Sequence, residues 1–200
     1  MKKDNTEEKI LVAAQNVFIQ KGMDGARMQE IANEAGINKA LLHYYFRTKQ
    51  KLFEAIFKNV FSKILPNLMG MVHSDLPFEE KLGNFIESYI ELLLRNPFLP
   101  TFILKEMNRE PEFLARIIRS SGIAPPQIFS MLKKEMDAGK IRQMDPRDIM
   151  VNVLGLSIFP IAAGPLLNIM FFDNNKQEYE RFIQKRKETV KTFILNSIML

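Results

Sequence analysis

Apolar positions near the start of the chain fall at three- and four-residue steps: Ile10, Ala13, Ala14, Val17 and Phe18. That stripe is one face of an amphipathic helix, and its spacing predicts a helix from about Thr6 to Lys21. Gly22 stands as its stop, since glycine takes the left-handed conformation at a helix end without a Cβ penalty. Short helices follow over about Met28–Ala35 and Lys39–Tyr45, and Thr48 reads as the N-cap of a longer one that passes Val60. Proline near the first helical position marks further starts at Asn96-Pro97, Glu110-Pro111 and Asp145-Pro146. Asp145 with Asp148 has the spacing of a capping box. Pro125-Pro126 opens a helix that Ala138-Gly139 closes, and the last helix spans about Lys176–Met199. Period-two alternation is scarce, so the pattern predicts an all-α protein.

The segment from Met28 to Phe46 carries the most information. Ile31 and Ala35 share a face of one short helix, and the small Ala32 lets a second helix cross close by. Gly36 supplies a sharp turn, Ile37 fills the gap, Asn38 caps the next helix, and Leu42 points inward. This is the arrangement of a helix-turn-helix, although a tight helical hairpin in any all-α protein has the same spacing.

The stretch IANEAGINKALLHYYFRTKQKLFEAIF, with the preceding helix and its Gly22 stop, resembles the N-terminal domain of the tetracycline-repressor (TetR) family. Ile31-Ala32, Ala35-Gly36-Ile37, Asn38, Leu42, Tyr45-Phe46, Thr48-Lys49 and Leu52 carry the likeness, which covers about residues 6 to 56. His43, Arg27 and Ala40-Leu41 depart from the usual pattern, and they bear on base preference and phosphate contacts rather than on the fold.

The resemblance implies an N-terminal three-helix helix-turn-helix domain over residues 1–50. A larger helical domain for ligand binding and dimerisation follows over residues 51–200. It implies a ligand-responsive DNA-binding transcriptional regulator, with repression the usual outcome, that binds a double-stranded DNA operator as a homodimer through its last two helices. Asn38 to Tyr45 would enter the major groove, with Lys39, Ala40 and Leu41 nearest the base edges. Lysine bonds guanine O6 and N7, and Ala or Leu packs on a thymine methyl. His43, Tyr44 and Tyr45 would touch phosphates or bases, while Lys49 and Gln29 would bond phosphates. The middle of the chain would enclose a small apolar or aromatic effector. Phe61, Met69, Phe85, Tyr89, Phe102, Glu106 and Met107 are its candidate lining, and His73 is a further polar candidate. Any one of these Met and Phe residues also fits plain core.

Composition narrows the alternatives. Apolar residues make up 46% of the 200 and charged ones 26%, a globular balance. The net charge is +5, and residues 1–60 hold ten Lys and Arg against seven Asp and Glu. This suits a polyanionic partner without requiring one. There is no cysteine, which excludes disulfides and thiolate chemistry and fits a reducing cytosol. No apolar stretch backs Lys2 and Lys3, so a signal peptide is not expected.

The two histidines, 43 and 73, stand apart with no paired His/carboxylate motif and no Gly-rich phosphate loop. The reading is therefore of no enzyme, no metal site and no cofactor. A helical carrier of small ligands or lipids, without DNA binding, is the competing class.

Val151–Phe172 is uncharged over 22 residues, long enough for a membrane span. Asn152, Asn168, Pro160 and Pro165 interrupt it, and the favoured reading is a buried helix of a protein with no membrane partner. In the last helix Tyr179, Phe182, Ile183, Val190, Phe193, Ile194 and Ile198 form an apolar seam. Arg181, Lys185, Arg186 and Lys187 lie on its solvent side. The seam serves either a four-helix bundle between two subunits or the chain's own core.

Overall fold

The structure is a computed structural model that describes the backbone of residues 2–120 and 125–200. Side chains are described there except at 2–5, 23, 61–69, 71–73, 98, 102, 106 and 117. In chain order the helices among the described residues are α1 (Lys2–Gly25), α2 (Met28–Glu34), α3 (Lys39–Tyr45), α4 (Lys49–His73), α5 (Phe78–Arg95) and α6 (Phe98–Arg109). Then come α7 (Pro111–Ser120), α8 (Pro125–Asp137), α9 (Pro146–Ala162), α10 (Gly164–Phe172) and α11 (Lys176–Ile198). The β-pairing among them is a single bridge between Ile141 and Met199. The fold is all-α.

The backbone packs as two units, Met1–Leu65 with Phe102–Ser121, and Pro66–Thr101 with Gly122–Leu200. This packing division follows a different line from the functional division expected at residue 50.

In the first unit the α1 stripe is buried as its period requires: Ile10, Ala13, Ala14, Val17 and Phe18 are each 6% exposed or less. Gly22 leaves helical geometry with φ 67°, so the helix proper stops there. Phe18 meets Phe53 of α4 with ring centroids 5.6 Å apart, and Phe53 meets Phe57 at 6.5 Å. Phe113 and Leu114 of α7 are also buried.

In the second unit one core joins four helices. Phe78, Leu82, Ile86 and Ile90 of α5 pack with Ile128, Leu132 and Met136 of α8, Ile149 and Val153 of α9, and Val190, Ile194 and Ile198 of α11. Helix α8 closes as the sequence predicts. Gly139 has φ 69°, its N–H donates to Met136 O, and the Lys140 N–H donates to Glu135 O. These two bonds form a Schellman motif. Arg142 N–H donates to Ile198 O at 2.8 Å and pins the end of α11.

Three expectations need correction. The uncharged stretch is not one buried helix but α9 and α10, bent by 74° at Ala163. Pro160 and Gly164-Pro165 break the helical hydrogen bonding there. Among the described residues no single helix is long and apolar enough to cross a membrane, although the bent pair passes on length and composition. Much of the stretch is exposed, including Val151, Phe159, Leu166, Ile169, Met170 and Phe171. The α11 seam is split: Ile183, Val190, Ile194 and Ile198 belong to the chain's own core, whereas Phe182 and Phe193 face out. Finally, the Asp145 carboxylate caps α9 by accepting from the Arg147 N–H at 2.8 Å. The Arg147 guanidinium bonds the same carboxylate and, with that N–H, holds its pKa down at about 2.

Candidate nucleic-acid interface

The turn between α2 and α3 is built by Gly36, whose φ of 67° lies in the left-handed region. Its N–H donates to Asn33 O at 3.1 Å, and the Ile37 N–H donates to Ala32 O at 3.0 Å. Two of the four orphan carbonyls at the end of α2 are thereby satisfied in a second Schellman motif. Asn38 then caps α3, its Oδ1 accepting from the Leu41 N–H at 2.8 Å. Ile31, Ala32 and Leu42 are completely buried and Phe46 nearly so. Two short helices are thus clamped by a turn, a cap and a small apolar core.

Because Leu42 and Phe46 fix the inward face, the opposite face of α3 is free. Asn38, Lys39, Ala40, Leu41, His43 and Tyr44 are exposed, and Tyr45 is half-buried. Tyr44 stands out most, at 71% exposure for a large aromatic ring, and meets Tyr45 edge-to-face at 5.5 Å. The His43 ring nitrogen Nδ1 lies 3.3 Å from Arg47 O. On α2, Gln29 is exposed and its amide donates to Asn33 Oδ1 at 2.9 Å. The eight residues from Gln29 and Asn38 through Tyr45 named above therefore come together on one short helix and its neighbour.

Lys49, the expected phosphate contact, is half-buried and also serves the fold. Its ammonium donates to Asp24 O at 3.2 Å and Ala26 O at 3.1 Å, tying the start of α4 to the turn after α1. One of its three N–H bonds is left for another acceptor. The Asp24 carboxylate is in turn ion-paired with Lys105 of α6, which lowers its pKa by hydrogen bond and charge. The start of α2 is held by Glu30, which accepts from the Arg27 N–H at 3.2 Å and pairs with Lys21 at 2.9 Å. The lysine and its carbonyl partners lie 23 and 25 residues apart, so no local pattern announces them.

Of the expected effector-contacting residues, Phe85 and Tyr89 sit one turn apart on α5 with rings stacked at 6.2 Å. Burial pushes the Tyr89 hydroxyl up to about 12. Met107 lies in the first packing unit and is 52% exposed. Phe61, Met69, Phe102, Glu106 and His73 lie outside the described side chains. Among the described residues no group of three or more His, Cys, Asp or Glu could hold a metal ion.

Comparison with known proteins bears directly on this geometry. A family profile described as "Bacterial regulatory proteins, tetR family" matches residues 10–56, from within α1 through α2 and α3 to the first part of α4. The HTH-type transcriptional repressor NicS of Pseudomonas putida is 23% identical over 181 residues, covering 90% of this chain and 81% of that protein. Among solved structures, the ketosteroid transcriptional regulator KstR2 of Mycobacterium tuberculosis superposes with a TM-score of 0.71 at 16% identity. The match covers 97% of this chain and 95% of KstR2. The regulator FadR of Bacillus subtilis, solved in complex with stearoyl-CoA, gives 0.68 at 16% identity over 92% of this chain and 96% of that one.

Proposed function

We propose, from the premise that this chain belongs to the tetR family of bacterial regulatory proteins, that it is a ligand-responsive transcriptional repressor, acting in the cytoplasm as a homodimer on operator DNA. Residues 1–50 form its DNA-binding part and residues 51–200 its effector-binding and dimerisation part. The reading rests on one observation: α3 buries Leu42 and Phe46 while presenting Lys39, Ala40, Leu41, His43 and Tyr44 to solvent.

A short helix stiffened in that way fits the major groove, which admits one α-helix. Lys39, Ala40 and Leu41 at its N-terminal end meet base edges, where recognition helices read sequence. Gln29, His43, Tyr44, Tyr45 and the remaining N–H of Lys49 set register on phosphates. Two such helices, one from each subunit, read half-sites about 34–36 Å apart in the simplest arrangement.

The effector is a small apolar or aromatic molecule, contacted in part by Phe85 and Tyr89. Support comes from their stacking in a half-buried position and from neighbours whose names carry a ketosteroid and stearoyl-CoA. Such a molecule releases DNA if it prefers the conformer that does not bind.

The test is selection of bound sequences from a random duplex pool, followed by titration of the recovered site at several salt concentrations. A recovered motif of two related half-sites, with affinity falling steeply as salt rises, is the expected result. Recovery of no motif, or binding indifferent to salt, would leave a ligand carrier as the better reading.

A further inference from the structure

His43 sits on the flank of α3, between the buried line of Leu42 and Phe46 and the outermost residue, Tyr44. The residue is exposed, yet one of its two ring nitrogens is committed. Nδ1 lies 3.3 Å from Arg47 O, at the turn into α4. A carbonyl oxygen only accepts, so Nδ1 carries the proton and donates. That bond decides what the other nitrogen offers a partner. In the neutral ring Nε2 is then a bare lone pair, an acceptor; in the imidazolium it is a donor. Phosphate oxygens are acceptors as well. A neutral His43 thus has nothing to bond them with, whereas a protonated one presents a charge-assisted N–H.

The surroundings supply no internal anion for that charge. On α3 itself the neighbours are Lys39, one turn earlier on the same side, with Tyr44 and Tyr45. The turn and the start of α4 add Arg47, Lys49 and Lys51. Helix α2, which packs on α3, carries Glu30 and Glu34, and both are engaged elsewhere: Glu30 with Lys21 at 2.9 Å, Glu34 accepting from the Asn16 amide at 3.3 Å. Among the described residues the hydrogen-bond partner of His43 is Arg47 O, not a carboxylate.

We infer that His43 grips the DNA backbone only as an imidazolium, so that operator binding takes up a proton at each recognition helix. The inference rests on the DNA-binding reading above and adds to it a dependence on pH. Histidine is the side chain whose ordinary charge change falls between about pH 5 and 8, whereas phenol hydroxyls and ammonium groups donate across that range. Lys39, Tyr44 and Tyr45 therefore do not supply the dependence. The complex holds more protons than the separate partners, so affinity rises on acidification and falls as pH rises through the range in which histidine titrates.

Fluorescence anisotropy of the full chain on the duplex recovered by selection, at fixed ionic strength from about pH 8 to 6, tests the inference. The comparison is of wild type with His43→Gln, His43→Lys and His73→Gln, the last at the chain's other histidine. Circular dichroism checks that each keeps its helices at every pH. Wild type and His73→Gln are expected to gain about tenfold or more in affinity over that range. His43→Gln should lose the gain, and His43→Lys should bind at the alkaline end about as tightly as wild type at the acid end. Calorimetry in two buffers of different ionisation enthalpy should count a fraction of a proton taken up per chain near neutral pH, absent in His43→Gln. A wild-type affinity flat with pH, or a gain that survives in His43→Gln, would overturn the inference and leave DNA binding standing. So would a His43-dependent change of the opposite sign, which assigns Nε2 to a base amino group as its acceptor. Absence of binding at every pH would overturn the DNA-binding reading along with it.

Discussion

Gly36 carries the geometry of the reading head through one dihedral angle. Its φ of 67° is paired with open space where a Cβ would stand, so any cost of substitution is conformational rather than a clash. Gly36→Ala is expected to destabilise the fold by roughly 1–2 kcal/mol, and Gly36→Asn by less, because asparagine tolerates the left-handed region. Urea denaturation of the three proteins checks the order; equal midpoints would refute it. This residue was legible in the sequence because the turn is local: small residue, glycine, apolar plug and cap lie within seven positions. Lys49 was legible only in part. Its lysine type announced an anion partner, yet its ammonium bonds the carbonyls of Asp24 and Ala26. Lys39 and Lys49 should therefore separate when changed to Ala. Loss of Lys39, exposed and without a fold contact here, should weaken DNA binding and lower the salt slope by about 1, with stability unchanged within ~0.5 kcal/mol. Loss of Lys49 should lower the unfolding midpoint as well as the affinity, since two carbonyls lose their donor. Paired melting and band-shift titrations read both.

At the level of elements, the starts at Pro111, Pro125 and Pro146 and the stop at Gly139 match helix boundaries because proline and glycine act on their immediate neighbours. The break at Ala163 was harder to see. Pro160 lies inside α9, and it is the contact of Gly164 with Tyr179, fifteen residues on, that fixes where α10 begins. The α5–α11 pair shows a second kind of long-range bond. Lys187 pairs with Glu91, and Lys191 with Glu87 at 2.9 Å. The Lys187 hydrogen bond first, then that of Arg95, holds the Glu91 carboxyl below its ordinary 4.5. The folded value lies below the unfolded one, so this contribution is whole above about pH 4.5 and fades as pH falls through the lower folded value. Wild type should therefore lose more stability than Glu91→Gln between about pH 5 and 3, by roughly 1 kcal/mol or less given the solvent around these groups. Urea midpoints at both pH values measure it, and parallel losses in the two proteins would remove Glu91 from the account.

For the whole molecule, the all-helical class followed from periodicity alone, but two features did not. Residues 102–121 pack with 1–65, a fact of distant contacts that no local pattern encodes. An apolar stripe also does not say whether it faces its own chain or another. In α11 the same run supplies Ile183 and Val190 to the core and Phe182 and Phe193 to the surface. The proposed assembly has a consequence that no single helix has: spacing. Two recognition helices fixed in a symmetric dimer can meet half-sites only at one separation and on one side of the duplex. Five added base pairs turn the second half-site by about half a helical turn, and ten restore its facing but move it by about 34 Å. Both insertions should reduce affinity to that of a single half-site, roughly a hundredfold or more below the intact operator if each half-site contributes comparably. A chain that reads DNA as a monomer would bind all three duplexes alike, and titrating them side by side at one salt concentration distinguishes the two assemblies.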